Sequence, residues 1–177
     1  MTLLFMRHGV TQYNKEGKLQ GRQDFPLSDE GKAQVAAVDT TLLQQVEKIY
    51  SSPLLRARQS AEILQLDCPI VLDDRLVERG FGEYEGKSYQ ELYDEGFDLK
   101  RAYEDDEYFF LGVESLGDMR ARLLDFLKEI QQEQEETVLL VSHGGLGLCL
   151  RQMFPDKKSD IMDLADIKNC QILSFDL

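Results

Sequence analysis

The chain has 177 residues, 42% of them hydrophobic and 30% charged, and a net charge of −13. That composition fits one globular domain with a sizeable core, and its acidic balance excludes the clustered Lys and Arg that nucleic acid or an anionic membrane requires. No run approaches the ~18–20 apolar residues of a membrane span, and three widely spaced cysteines, Cys68, Cys149 and Cys170, form neither a disulfide framework nor a C-x-x-C site.

Short β-type runs alternate with helical patterns along the chain. "TLLFM" at 2–6 reads as a strand buried on both faces, and it stops abruptly at Arg7-His8-Gly9. Ser28 is a good N-cap with Asp29 and Glu30 behind it, and Val35, Val38, Leu42 and Val46 continue at helical spacing. "KIYSS" at 48–52 is the next strand. Pro53 suits the first position of a helix whose face carries Leu54, Ala57, Ala61 and Leu64. "PIVL" at 69–72 is a further strand. Residues 88–110 are Tyr-rich and acidic and predict short helices, with 88–114 forming an insertion or lid. Ser115 opens a helix with Leu116, Met119, Leu123, Leu127 and Ile130 on one stripe. "TVLLVS" at 137–142 is a second doubly buried strand, a helix follows from Gly144, and "CQILSFDL" at 170–177 is the last strand.

No repeat, linker or low-complexity block interrupts this order, so residues 1–177 are expected to form a single domain. Strands alternating with helices predict an α/β three-layer sandwich, with a mostly parallel central sheet and helices on both faces. The acidic stretches 104–107 and 133–136 read as solvated faces. Arg7 and His8 arrive too early for a signal peptide, and reduced thiols point to a cytoplasmic location.

In such folds ligands gather beyond the carboxyl ends of the strands. Only two histidines exist in the chain, His8 and His143, and each follows a buried-type strand and precedes a glycine. One histidine so placed reads as a cap or core residue; two at equivalent strand ends point to a shared site. Gly9 and Gly144 beside them allow a ligand to approach backbone N–H groups. Arg7 at the end of a central strand needs an internal carboxylate or an external anion, because a buried unpaired charge is costly. Guanidinium groups bind phosphate oxygens bidentately, so Arg7 and Arg56 point to a phosphate. In "ERGFGEYEGKS" at 78–88, Glu78 comes soonest after a strand, whereas Glu83 and Glu85 read as solvated loop charges. "GEYEGKS" is one residue short of a nucleotide P-loop, and "GGLGLCL" at 144–150 has Leu150 where a dinucleotide fingerprint needs glycine.

Taken together, "MRHGVTQYN", "DFPLSDEG", "SSPLLRARQSAE", "LVERGFGEYEG" and "VSHGG" resemble, in order and spacing, the histidine phosphatase superfamily with the phosphoglycerate mutase-like fold. The resemblance runs from about residue 2 to 150 and is weak across 88–114. It implies His8 as a nucleophile that becomes phosphorylated and Glu78 as proton donor and acceptor. Arg7, Arg56 and His143 would form the phosphate pocket, completed by Asn14 and the Gln20-Gly21 turn. It also implies a small phosphorylated substrate and neither metal nor cofactor. Most familiar members have Glu after Arg-His-Gly, where this chain has Val10, so another acceptor, such as a backbone carbonyl, must orient His8. The compact segment after Glu78 resembles the phosphatase branch more than the mutases. A mutase and a non-catalytic phospho-ligand binder are the other readings. Lys15, Lys18 and Arg22 either favour a second anionic group or are plain surface charges. Substrate identity and oligomeric state are not readable.

Overall fold

The computed structural model describes residues 1–108, 110, 112–155 and 167–177. Five strands form one sheet: β1 (Thr2–Arg7), β2 (Lys48–Ser51), β3 (Ile70–Leu72), β4 (Thr137–Ser142) and β5 (Ile172–Asp176). Their order is β3-β2-β4-β1-β5. All neighbours run parallel except β5, which lies antiparallel on β1. The two strands read as doubly buried, β1 and β4, are adjacent near the centre, as their unbroken apolar runs require.

Side-chain alternation along β1 divides the core in two. Leu3 and Phe5 face a cluster with Met119, Leu123, Phe126 and Leu127 of α6 (Leu116–Ile130) and Leu146 and Leu150 of α7 (Gly144–Met153). Leu4 and Met6 face the opposite layer, with Val35 of α2 (Asp29–Ala36) and Ala57 and Ala61 of α3 (Leu55–Ile63). This is the expected α/β sandwich, with each layer held by side chains worth ~1.5–3 kcal/mol apiece on burial. A third, smaller cluster of Leu19, Phe81, Leu92, Phe97, Ala102 and Val113 lies under α4 (Tyr89–Asp94) and α5 (Leu99–Glu104).

Three local expectations change. The helix opened by Ser28 ends at Ala36 and does not reach Val46. Asp39 caps a new 3₁₀ turn over Thr40–Leu43, accepting from Thr41 N–H at 2.9 Å, and Leu42 is left 69% exposed. A local side-chain bond has outcompeted helix continuation. The next helix begins at Leu55, not at Pro53, and its cap comes from elsewhere in the chain: Asp24 Oδ1 accepts from Leu55 N–H at 2.6 Å. The acidic stretch 133–136 is more than a solvated face, because Glu133 and Glu135 clasp Lys48 Nζ at 2.6 and 2.5 Å. Likewise, within 104–107, Asp105 pairs with Arg101 at 2.9 Å and Asp106 with Arg120 at 2.7 Å.

Candidate phosphate-binding active site

The register of β1 on β4 builds the site. Arg7 pairs with Ser142, and His8 N–H continues the ladder onto the Ser142 carbonyl at 3.0 Å. The next residue on each strand is a histidine, so the two imidazoles emerge side by side, ring centroids 5.2 Å apart. Both are buried, 2% and 0% exposed. β2 lies on the other side of β4, and Ser52 just past its end meets His143: Ser52 Oγ and His143 Nε2 are 2.8 Å apart.

His8 Nδ1 lies 2.7 Å from the carbonyl oxygen of Gly9. A carbonyl only accepts, so Nδ1 carries the proton, and in the neutral ring Nε2 keeps its lone pair. The backbone thus supplies the orienting acceptor that Val10 cannot. Burial, then the Arg56 and Arg7 guanidinium groups, hold the His8 pKa well below the ordinary value despite the opposing Gly9 bond. His143 is shifted the same way, by burial first and then by Arg56.

Arg7 Nη1 donates to the Ile167 carbonyl at 2.6 Å. Arg56, 1% exposed, donates through Nη1 to Gln23 O and through Nη2 to Gly21 O, both at 2.7 Å. Burial brings its pKa down to about 10, partly offset by Glu78 and Asp24, and it stays cationic at neutral pH. Neither guanidinium has a carboxylate within ion-pair distance among the described residues. Four buried side-chain polar atoms lack a hydrogen-bond partner among the described residues, and three of them are Arg7 Nε, Arg56 Nε and His143 Nδ1. Each such group costs about 1–3 kcal/mol unless a ligand satisfies it.

Glu78 reaches the site from the loop before the 80s turn. Its Oε1 accepts from Arg79 N–H at 2.8 Å and its Oε2 from Gly145 N–H, in the first turn of α7, at 3.1 Å. Asn14, in α1 (Gln12–Glu16), commits its Oδ1 to the backbone N–H of Thr11 at 3.1 Å, so its amide NH₂ is the end available to a ligand. Gln20 Oε1 accepts from the Thr11 hydroxyl at 2.8 Å. Arg7, His8, Asn14, Gln20, Gly21, Arg56, Glu78 and Gly144 all line one cavity of about 150 Å³, with His143 against His8 beneath it.

Two readings are corrected. Gly9 is glycine for packing: a β-carbon would lie 2.7 Å from the Gly31 carbonyl, and its N–H is already given to Ser60 Oγ at 3.0 Å. Glu85 is not merely solvated, since its Oε1 accepts from the backbone N–H groups of Arg22 and Phe81, both at 3.0 Å, tying two site loops together. Sequence reasoning passed over Thr11, Ser52, Ser60, Arg79 and Tyr103. Ser52 and Ser60 fall inside the motif "SSPLLRARQSAE", whereas nothing local marks Tyr103.

Paired imidazoles, two guanidinium groups with no carboxylate at ion-pair distance among the described residues, and the Glu78 carboxylate thus meet at one cavity. The profile of the histidine phosphatase superfamily (branch 1) matches residues 3–177, and the chain belongs to that family. It is 34% identical over 156 residues to a glucosyl-3-phosphoglycerate phosphatase of Mycolicibacterium vanbaalenii, covering 81% of this chain and 69% of that protein. It is 33% identical over 150 residues to phosphoserine phosphatase 1 of Hydrogenobacter thermophilus, covering 80% and 70%. The structure of a mycobacterial glucosyl-3-phosphoglycerate phosphatase complexed with VO3 superposes with a TM-score of 0.83 at 27% identity, over 98% of this chain and 90% of the other.

Proposed function

We propose that this protein is a metal-independent phosphomonoesterase working through a phosphohistidine on His8. The observation that carries the reading is that Arg7, Arg56 and His143 each keep a buried nitrogen without a partner among the described residues, beside a histidine whose tautomer leaves Nε2 unprotonated. Names of relatives in both comparisons point the same way.

In the first half-reaction Nε2 of neutral His8 attacks phosphorus in line and the P–O ester bond breaks. Arg7, Arg56 and His143 take up the equatorial oxygens as charge redistributes. Glu78 gives its proton to the departing alkoxide, a poor leaving group at neutral pH. In the second, the Glu78 carboxylate takes a proton from water as the oxygen attacks the phosphohistidine, and inorganic phosphate leaves. Splitting one displacement into two is how covalent catalysis lowers a barrier whose uncatalysed rate calls for up to ~10²¹-fold acceleration.

The test is to mix the protein with a radiolabelled phosphomonoester, quench in base and look for acid-labile label on the chain. Label on wild type and none on His8→Ala supports the reading. Efficient isomerisation of 3-phosphoglycerate with little phosphate release assigns the site to a mutase. Phosphate binding without either reaction makes it a binding module.

A further inference from the structure

Beyond the phosphate hollow, the cavity wall is apolar and aromatic. Leu19, Phe81, Tyr89, Leu99 and Tyr103 line it, and Tyr89 is 54% exposed at its rim. A second anionic group on a substrate would need its own cation there. Besides Arg7 and Arg56, Lys18 is the one cation in the lining among the described residues.

Lys18 is already engaged. Its Nζ is 2.7 Å from Glu16, 5.3 Å above the Tyr13 ring, and further held in its charged form by the Glu91 carboxylate. The other two cations of the loop do not line the cavity: Lys15 pairs with Glu30 at 3.0 Å, and Arg22 pairs with Glu114 at 3.1 Å and donates to the Glu78 carbonyl at 3.4 Å. An exposed pair is weak, so Lys18 can swing away from Glu16. Doing so does not remove the carboxylates. With Glu16 and Glu91 beside one ammonium, the described residues leave no net positive charge at the rim, and the inner cations are claimed by the phosphoryl group. Among the described residues a second phosphate or a carboxylate finds no unpaired cation at this rim, whereas an apolar body meets the buried Leu19 and Phe81, the half-buried Leu99 and Tyr103, and Tyr89 at the edge.

Building on the phosphatase reading, we propose that the preferred substrates are monophosphate esters of uncharged alcohols with an apolar or aromatic body. Esters carrying a second phosphate or a carboxylate are poor substrates. This separates the chain from relatives named for phosphoserine and glucosyl-3-phosphoglycerate, both of which carry a carboxylate.

The experiment compares kcat/KM for benzyl phosphate with phosphoserine, 3-phosphoglycerate and fructose 1,6-bisphosphate, all leaving as alkoxides, on the full chain. Benzyl phosphate is expected to lead by at least tenfold, with the gap narrowing as salt rises. Glu16→Gln removes one rim carboxylate without touching the phosphate hollow. It should raise kcat/KM for the anionic esters by about three- to tenfold and leave benzyl phosphate within twofold. Anionic esters matching or beating benzyl phosphate on wild type overturn the proposal. Should no ester release phosphate, the phosphatase reading falls by itself. Calorimetric binding of the same four esters then decides: tighter binding of benzyl phosphate upholds the selectivity and tighter binding of the anionic ones overturns it.

Discussion

Glu78 accepts a hydrogen bond from the backbone N–H of Gly145 at 3.1 Å, and the contact exists because residue 145 has no side chain. A β-carbon there would stand 2.4 Å from Glu78 Oε1 and 2.2 Å from the Tyr103 hydroxyl. Oε1 also accepts from Arg79 N–H at 2.8 Å, so the carboxylate is held from two sides. Gly145→Ala is therefore expected to displace it while leaving the fold intact, since alanine favours the helix in which it sits. A displacement near 1 Å at a reacting group costs about 10²-fold in rate. The loss should be larger for alkyl than for p-nitrophenyl phosphate, whose leaving group needs little protonation. Paired kinetics and a thermal melt check this; equal losses for both esters would detach Gly145 from proton transfer.

A second prediction concerns acid. Burial and the neighbouring Arg56 hold both histidines well below their ordinary pKa, whereas the unfolded chain titrates them near ~6.5. Between the folded and unfolded values the unfolded state binds more protons, so unfolding free energy rises with pH across that window. The contribution is fully present above pH ~6.5 and is lost progressively as pH falls below it. The carboxylates with lowered pKa, such as Asp39 and Asp73, start below the histidine range and act at lower pH. Urea midpoints at pH 8, 7, 6 and 5 should be flat to pH 7 and then decline, and His143→Gln should make the decline shallower. A midpoint that holds or rises from pH 7 to 5 would mean that the histidines are not kept neutral by the fold.

The unpartnered nitrogens of Arg7, Arg56 and His143 predict strong stabilisation by small tetrahedral anions. A ligand that binds only the folded state adds ~2.7 kcal/mol at a hundred times its Kd. Inorganic phosphate and vanadate should each raise the melting temperature in a concentration-dependent way, and Arg7→Met should abolish most of the shift. Arg7 is the better choice for this test because Arg56 also holds the Gly21 and Gln23 carbonyls, whereas Arg7 spends Nη1 on the single carbonyl of Ile167. A shift of similar size in Arg7→Met would place the anion elsewhere.

How much of this was legible follows from what each part depends on. The doubly buried strands 2–6 and 137–142 were readable because their apolar runs are unbroken, and their adjacency then put His8 and His143 together through the parallel register. The α6 stripe was readable because Ser115 caps it and five apolar residues keep helical spacing. The helix expected to run on to Val46 failed through a local bond, Asp39 to Thr41, and most other failures depended on partners distant in sequence. Asp24 caps α3 from 31 residues away. Glu85 looked like a loop charge because one of the two N–H groups that donate to it, that of Arg22, lies 63 positions away, although the other, that of Phe81, is only four away. Tyr103 reaches Gly145 only after the chain from 88 onward has folded back over the site, a placement no local pattern encodes.

Arg79 braces that return. It is 1% exposed, yet no carboxylate pairs with its guanidinium among the described residues. Nε donates to the Glu114 carbonyl at 2.8 Å and Nη1 to the Ala102 carbonyl, while the guanidinium lies 5.2 Å from the Tyr103 ring. One side chain thus ties α5 and the start of the 114 region to the residue next to Glu78. Arg79→Met keeps the volume and removes both donors, leaving two carbonyls unsatisfied at about 1–3 kcal/mol each. The expected result is a clear loss in urea midpoint, faster proteolytic cleavage within 95–108, and a raised KM because Tyr103 and Leu99 line the cavity. Arg79→Lys, which can still reach one carbonyl, should recover part of all three. An Arg79→Met protein with wild-type KM and an uncleaved 95–108 segment would show that the aromatic cluster around Phe81 and Phe97 holds this region without the guanidinium.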